Sequence, residues 1–206
     1  MKFVTASDSK YFACLMMQIA AVKSCFGQLP TVYDIGLIEE QRRALESHGI
    51  YVIECPLFPK EGDDYPDGYR PRALFKPEIM YEFCEKYPDT DVVYLDADSR
   101  PINKFDFPTD NIGLVLVEEE IKELYKGSPA WEYIGPYYAG VIFLKSNHDR
   151  MNLLEEWAKD LWQDKLPSDT KSLNKVVRDV TPLSPEEYLA RTITPKTKIF
   201  HTKGLI

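Results

Sequence analysis

Short apolar runs alternate with longer mixed stretches through the first half of the chain. Lys2 to Ala6 reads as a strand, and Ser7-Asp8-Ser9 as a helix N-cap region. Tyr11 to Phe26 is an apolar-rich helix, closed by Gly27 with Pro30 beyond it. Thr31 to Ile35 predicts a second strand. Glu39 to Ser47 predicts a polar surface helix ending at His48-Gly49. Ile50 to Cys55 predicts a third strand bounded by Pro56. This alternation implies a parallel sheet with right-handed crossovers.

A polar loop runs from Pro59 to Pro71, long enough for a binding loop or lid. Arg72 to Lys86 then predicts a helix, with Leu74, Ile79, Met80 and Phe83 on a core-facing side and Pro77 interrupting it near the start. Val92 to Leu95 is fully apolar, the mark of a buried parallel strand. Pro101 and Pro108 punctuate the next connection. Ile112 to Val117 predicts a strand, Glu118 to Lys126 an acidic stretch, and Tyr137 to Leu144 an aromatic and apolar strand. Asn147 to Lys165 is amphipathic, with Met151, Leu154, Trp157, Leu161 and Trp162 on one side. Ser168-Asp169-Thr170 caps a helix running to Val177, and Lys198 to His201 is a last short strand. No repeat or linker divides the chain. The expectation is a single α/β domain over residues 1–206, with a mainly parallel central sheet and helices on both faces.

The chemistry concentrates where the Val92 strand ends. Asp96 and Asp98 flank Ala97, so strand alternation would point both carboxylates one way, with room between them for a ligand. Two like charges side by side repel unless a cation sits between them. A hard divalent ion carrying a phosphate fits that need. The end of a parallel strand is also where α/β proteins bind ligands. Acidic residues after a strand also serve as turn or helix caps.

Composition narrows the reading little. The chain has 206 residues, 44% of them hydrophobic, and a net charge of -8. That balance argues against a protein gripping nucleic acid through its phosphates. Cys14, Cys25, Cys55 and Cys84 form no Cys-x-x-Cys pair, which fits reduced thiols in a reducing, cytoplasmic compartment. The start is too polar for a signal peptide, and the apolar stretch Phe12 to Val22 is too short for a membrane span.

In order along the chain, several motifs resemble the GT-A class of nucleotide-sugar glycosyltransferases, and more narrowly its glycogenin-like, family-eight-type members. Thr5-Ala6-Ser7-Asp8 ends the first strand, where that family holds the nucleotide. Arg72 and Lys76-Pro77 precede the carboxylates, as the family's basic residue and Lys-Pro helix do. Tyr94-Leu95-Asp96-Ala97-Asp98-Ser99 resembles its DxD motif. Tyr138-Ala139-Gly140-Val141 resembles its Asn-Ala-Gly strand, with Tyr in place of Asn. Asp169-Thr170-Lys171-Ser172-Leu173-Asn174 resembles its Asp-Gln and Leu-Asn element, with Thr in place of Gln. Phe200-His201-Thr202-Lys203-Gly204 resembles its His-x-x-Gly motif. The likeness covers nearly the whole chain.

The resemblance implies a GT-A, Rossmann-like fold and transfer of a sugar from a nucleotide-diphosphate donor, of UDP type, to a hydroxyl, with retention of configuration. It implies Asp96, Asp98 and His201 as ligands of manganese or magnesium, Asp98 and His201 ahead of Asp96. It implies donor contacts at Thr5, Ala6, Asp8, Arg72, Lys76, Ala97, Ala139, Gly140, Lys203 and Gly204. It places Asp169 near the reacting carbon. Each residue also has a structural role open to it. Asp8 and Asp169 fit helix caps, Arg72 and Lys76 a solvated basic face, Gly140 close packing, and His201 a buried or surface histidine. Trp131, Tyr133 and Tyr137 offer stacking surfaces for an acceptor or simply core packing. The acceptor is a carbohydrate or another hydroxyl, a modified DNA base among them.

Three other readings share part of this pattern. Haloacid-dehalogenase-like phosphatases place Asp-x-Asp after an apolar strand, but on the first strand of their fold. A degenerate GT-A domain acting as a binding module would have lost its ligands, and here both carboxylates and the histidine remain. Sugar-nucleotide pyrophosphorylases need a Gly-rich N-terminal loop that Thr5-Ala6-Ser7-Asp8 lacks.

Overall fold

The computed structural model describes residues 1–55, 75–119, 122–123, 126, 135–163 and 168–202, without the side chains of 148 and 162. Strand β1 (Lys2–Ser7) leads through a 3-10 turn (Ser9–Tyr11) into helix α1 (Phe12–Phe26). Strand β2 (Thr31–Asp34), helix α2 (Glu39–Ser47) and strand β3 (Val52–Glu54) follow. Helix α3 (Lys76–Lys86) precedes strand β4 (Val92–Leu95). The second half holds β5 (Ser99–Pro101), β6 (Ile112–Leu116), β7 (Tyr137–Leu144), α4 (His148–Gln163) and α5 (Asp169–Val176). It ends with β8 (Val180–Leu183), the short α6 (Pro185–Tyr188) and β9 (Ile199–His201).

Seven strands form one sheet in the order β3-β2-β1-β4-β7-β6-β8, and β5 pairs β9 in a separate ladder. Strand β7 is antiparallel to both its neighbours, β4 and β6. The other neighbours in the sheet are parallel. The expectation of a mainly parallel sheet therefore holds, but β4 is parallel to β1 on one edge only. An apolar strand buried on both faces carries no local mark of its partner's direction.

Helices cover both faces. On one, α3, α4 and α5 bury Ile79, Met80, Phe83, Leu154, Trp157 and Leu173 against Val4, Tyr33, Tyr94 and Ile142. On the other, α1 sets Leu15 and Ile19 against Val32 and Leu45, and Val22 against Phe3, Val93 and Leu95. Alternation along β1 and β4 divides these sets, because successive side chains point to opposite faces. Burying about a dozen such side chains at ~1.5–3 kcal/mol each supplies the main driving force for this layer structure.

Several boundaries differ from the sequence expectation. Helix α3 begins at Lys76, so Pro77 lies in its first turn and does not interrupt it. A first-turn proline lacks only an N–H that has no helical partner there. Strands β5 and β8 carried no sequence signal. Each contains proline, which weakens a strand pattern, and each pairs only with segments remote in sequence. The loop from Pro59 to Pro71, and Trp131 and Tyr133, lie outside the described residues.

Candidate functional site

The strand order reverses between β1 and β4. From β1 the chain proceeds outward to β2 and β3, then returns to lay β4 on the other side of β1. The C-terminal ends of these two strands meet at that switch, where open α/β sheets bind ligands. Thr5 and Ala6 end β1, and Asp96 to Asp98 follow β4. Asp8 sits just past β1, where its Oδ1 accepts from the Lys10 and Tyr11 amides at 3.0 and 3.1 Å. It caps the 3-10 turn, the structural role open to it.

The two carboxylates of the Asp-x-Asp segment have different partners. Strand β4 stops at Leu95, and the Ser99 amide bonds the Asp96 carbonyl at 2.8 Å, closing a turn. Strand alternation ends at that turn, and beyond it each carboxylate takes its own partner. Asp96 stays on the Tyr94 side. Its Oδ1 accepts from Tyr94 OH at 3.1 Å and lies 2.9 Å from Lys76 Nζ. Asp98 has a different partner, its Oδ2 lying 3.4 Å from His201 Nε2.

Lys76 connects three elements. Its ammonium lies 2.6 Å from Asp169 Oδ2, 2.9 Å from Asp96 Oδ1, and donates to the Ala139 carbonyl at 3.0 Å. The side chain is only 3% exposed, which excludes the solvated basic face. Burial works against its charge, but Asp169 and Asp96 outweigh that and hold its pKa well above the ordinary lysine value. Burial pushes the Asp96 carboxyl up, Lys76 opposes that, and Asp98 and Asp169 add to the rise. Burial and the Asp96 charge keep Tyr94 a phenol well beyond its usual range, so it donates to Asp96.

Asp169 opens α5, but Ser168 is the cap. Ser168 Oγ accepts from the Lys171 amide, which leaves the Asp169 carboxylate to Lys76 and the Thr170 amide. Helix α5 is itself held in place. Trp157 Nε1 donates to the Asp169 carbonyl at 3.0 Å, and Asn174 takes both backbone groups of Tyr137 at 2.7 and 2.9 Å.

His201 is brought to Asp98 by the small ladder, in which Ser99 is the direct partner of His201. Thr202 adds two bonds to the Asp98 carbonyl, from its amide at 3.0 Å and its hydroxyl at 2.9 Å. His201 is 3% exposed. Tyr138 OH lies 3.5 Å from the same Nε2, and the two rings meet edge to face at 5.6 Å. Burial, then the Asp96 charge, raises the Tyr138 pKa well above the phenol value.

Gly140 leaves no open room for a ligand. A Cβ there would meet Tyr138 Cε1 at 2.1 Å and Asp96 Oδ2 at 2.7 Å. The missing side chain makes space for this chain's own phenol and carboxylate. Ala139 is fully buried and packs into the core beside α3 and α5. Ala97 is buried against the α1 side of the sheet, with Leu15 and Val32. Arg72, Lys203 and Gly204 lie outside the described residues.

Sequence reasoning missed Gln18, Tyr94 and Asn174. Gln18 Nε2 donates to the carbonyls of Asp96 and Ser99, each at 2.6 Å, and so ties α1 to the turn carrying the carboxylates. A glutamine in an otherwise apolar helix face was its one local signal. Tyr11 was also passed over. Its pKa is raised by partial burial and then by the charges of Asp98 and Asp8.

Among the described residues, no trio of His, Cys, Asp or Glu side chains converges as a ready metal cage. The Asp98–His201 pair nonetheless presents one carboxylate and one imidazole toward each other, a donor set that suits manganese. Asp96 is engaged by Lys76 instead.

No protein-family model and no curated protein matches this chain. Solved structures do. The galactosyltransferase LgtC, determined with donor and acceptor sugar analogues, is similar over 99% of this chain and 87% of its own, at 17% identity and a TM-score of 0.58. A glycosyltransferase involved in glycosylation of the major capsid of PBCV-1 is similar over 98% of this chain and 94% of its own, at 14% identity and a TM-score of 0.56. The bifunctional glycosyltransferase WbbM is similar over 99% of this chain and 46% of its own, at 15% identity and a TM-score of 0.61. The fold is the GT-A fold.

Proposed function

We propose that this protein transfers a glycosyl group from a nucleotide-diphosphate sugar, of UDP type, to a hydroxyl acceptor, most simply one on a carbohydrate. The observation that carries this reading is the convergence, at the β1–β4 switch of a GT-A fold, of the Lys76–Asp96–Asp169 cluster with the Asp98–His201 pair. A nucleoside diphosphate leaves well only when its charge is balanced. Asp98 and His201 would hold a manganese or magnesium ion, whose Lewis acidity supplies that balance when bound. Thr5, Ala6 and Asp8 line the end of β1 beside it.

Asp169 orients the sugar in this reading and does not act as a base. Both its oxygens already accept hydrogen bonds, from Lys76 and from the Thr170 amide. Those bonds commit both oxygens to Lys76 and to the first turn of α5. A base would be needed for inversion, so this supports retention, in which the departing phosphate takes the acceptor's proton. Free thiols at all four cysteines support a reducing, cytoplasmic setting. Among the described residues, no helix is long and apolar enough to cross a membrane.

Calorimetric titration with UDP, with and without manganese, on the wild type and on His201→Ala, tests this. Manganese-dependent binding that weakens in the variant is the expected result. Absence of UDP binding under both conditions overturns the reading. Binding that ignores manganese removes the metal from it.

A further inference from the structure

Strand β7 changes register against β6 just where it passes the site. Leu114 faces Ile142, but the next residue, Val115, faces Tyr138. Residues 139–141 therefore arch out of that ladder, while β4 still holds them through Leu95 opposite Val141 and the Asp96 amide on the Gly140 carbonyl at 2.8 Å. Such a bulge re-aims nearby side chains. Here the Tyr138 ring lies back along its own strand onto Gly140, within 2.1 Å of where a Cβ would stand. Its phenol reaches His201, and its surroundings include Asp96, Asp98, Lys76 and Asp169. The ring thus stands between Gly140 and His201, beside Asp96, and is only partly buried. Asp96 Oδ2 fills the rest of the space over Gly140, so the ring's resting place is shared with a charged group on one side and the histidine on the other.

We infer that Tyr138 sets the upper size limit on the glycosyl group that this site accepts, and so acts as a specificity-determining residue. This rests on the glycosyl-transfer reading proposed above. A rigid ring held by Gly140 beneath and His201 beside it excludes by volume, and the group it excludes is the larger of two donors of otherwise equal chemistry. Shape discrimination of this kind is worth roughly 10–200-fold per added carbon.

The test measures kcat/KM for donor hydrolysis, which needs no acceptor, with UDP-xylose, UDP-glucose and UDP-N-acetylglucosamine. Wild type, Tyr138→Ala and Tyr138→Phe are compared, with melting curves confirming that each folds and Tyr138→Leu replacing the alanine variant if it does not. The wild type is expected to favour the smallest donor. Tyr138→Ala is expected to raise the larger-to-smaller ratio at least ~10-fold, and Tyr138→Phe to leave it within about twofold of wild type. Ratios unmoved by the alanine or leucine variant overturn the inference while leaving glycosyl transfer standing. A phenylalanine variant that behaves like alanine overturns it too, because the hydroxyl and not the volume would then be discriminating. A wild type inert toward all three donors and unable to bind UDP overturns the functional reading, and this inference with it.

Discussion

The Lys76 ammonium lies 2.6 Å from a carboxylate oxygen of Asp169, a residue 93 positions further along the chain. Removing the cation leaves Asp169 and Asp96 facing each other with no buried positive charge between them. Lys76→Met is therefore expected to cost about 3–5 kcal/mol, as for other broken buried pairs. Adding Asp169→Asn to it should cost less than Asp169→Asn alone. Urea unfolding of the four proteins measures this cycle, and strict additivity would show that the pair is not coupled.

Gly140→Ala drives a methyl group into the Tyr138 ring and toward Asp96. Overpacking of this kind costs about 1–3 kcal/mol. The same substitution made in Tyr138→Ala should cost markedly less, since the ring is gone. Melting temperatures of the single and double variants check it; equal cost in both backgrounds would mean the strain lies elsewhere.

Arg150 is a buried cation with no carboxylate partner among the described residues. It donates to the Thr90, Tyr87 and Pro88 carbonyls at 2.6, 3.1 and 2.5 Å, and more weakly to Cys84 at 3.5 Å. These acceptors lie at and beyond the end of α3, where helix carbonyls lack internal partners. Arg150→Met should lower stability by about 3 kcal/mol, because several buried carbonyls lose a charged donor at once. Arg150→Lys should recover only part, a lysine being unable to span the same fork. Chemical denaturation distinguishes the two.

Asp91 supplies a pH signature. Its partial burial alone would raise its pKa, but Lys145 and the Ser146 amide outweigh that and hold it below the usual aspartate value. A depressed carboxyl stabilises the fold above its unfolded pKa and loses that contribution as pH falls through its folded value. The melting temperature of wild type should exceed that of Asp91→Asn near neutral pH, and the gap should shrink below about pH 4. A gap that is constant with pH would assign the difference to packing.

Much of the site was legible because its signals are local. The apolar run from Val92 ends in Asp96 and Asp98 within a few residues, and the caps, Gly27 and the helix faces obey short periods. Asp169 reads from sequence as a group near the reacting carbon or as a helix cap. The cap is Ser168, one residue earlier, a distinction that depends on backbone geometry and not on residue type. Lys76 reads from sequence as a donor contact or a solvated basic face, and nothing near it in sequence indicates that it is buried.

The sequence by itself determined the α/β alternation, most strand and helix positions, and the place of the paired carboxylates, because hydrophobic period and capping chemistry act over neighbouring residues. Tertiary structure alone decided the rest. It inserted β7 antiparallel between β4 and β6, closed the ladder that seats His201 against Asp98, and gave the two carboxylates different partners, Lys76 for one and His201 for the other. Each of those relationships joins segments far apart in the chain. Strand direction, ladder register and the burial of a charge are set by whichever surfaces meet, and no short stretch of sequence records its distant partner.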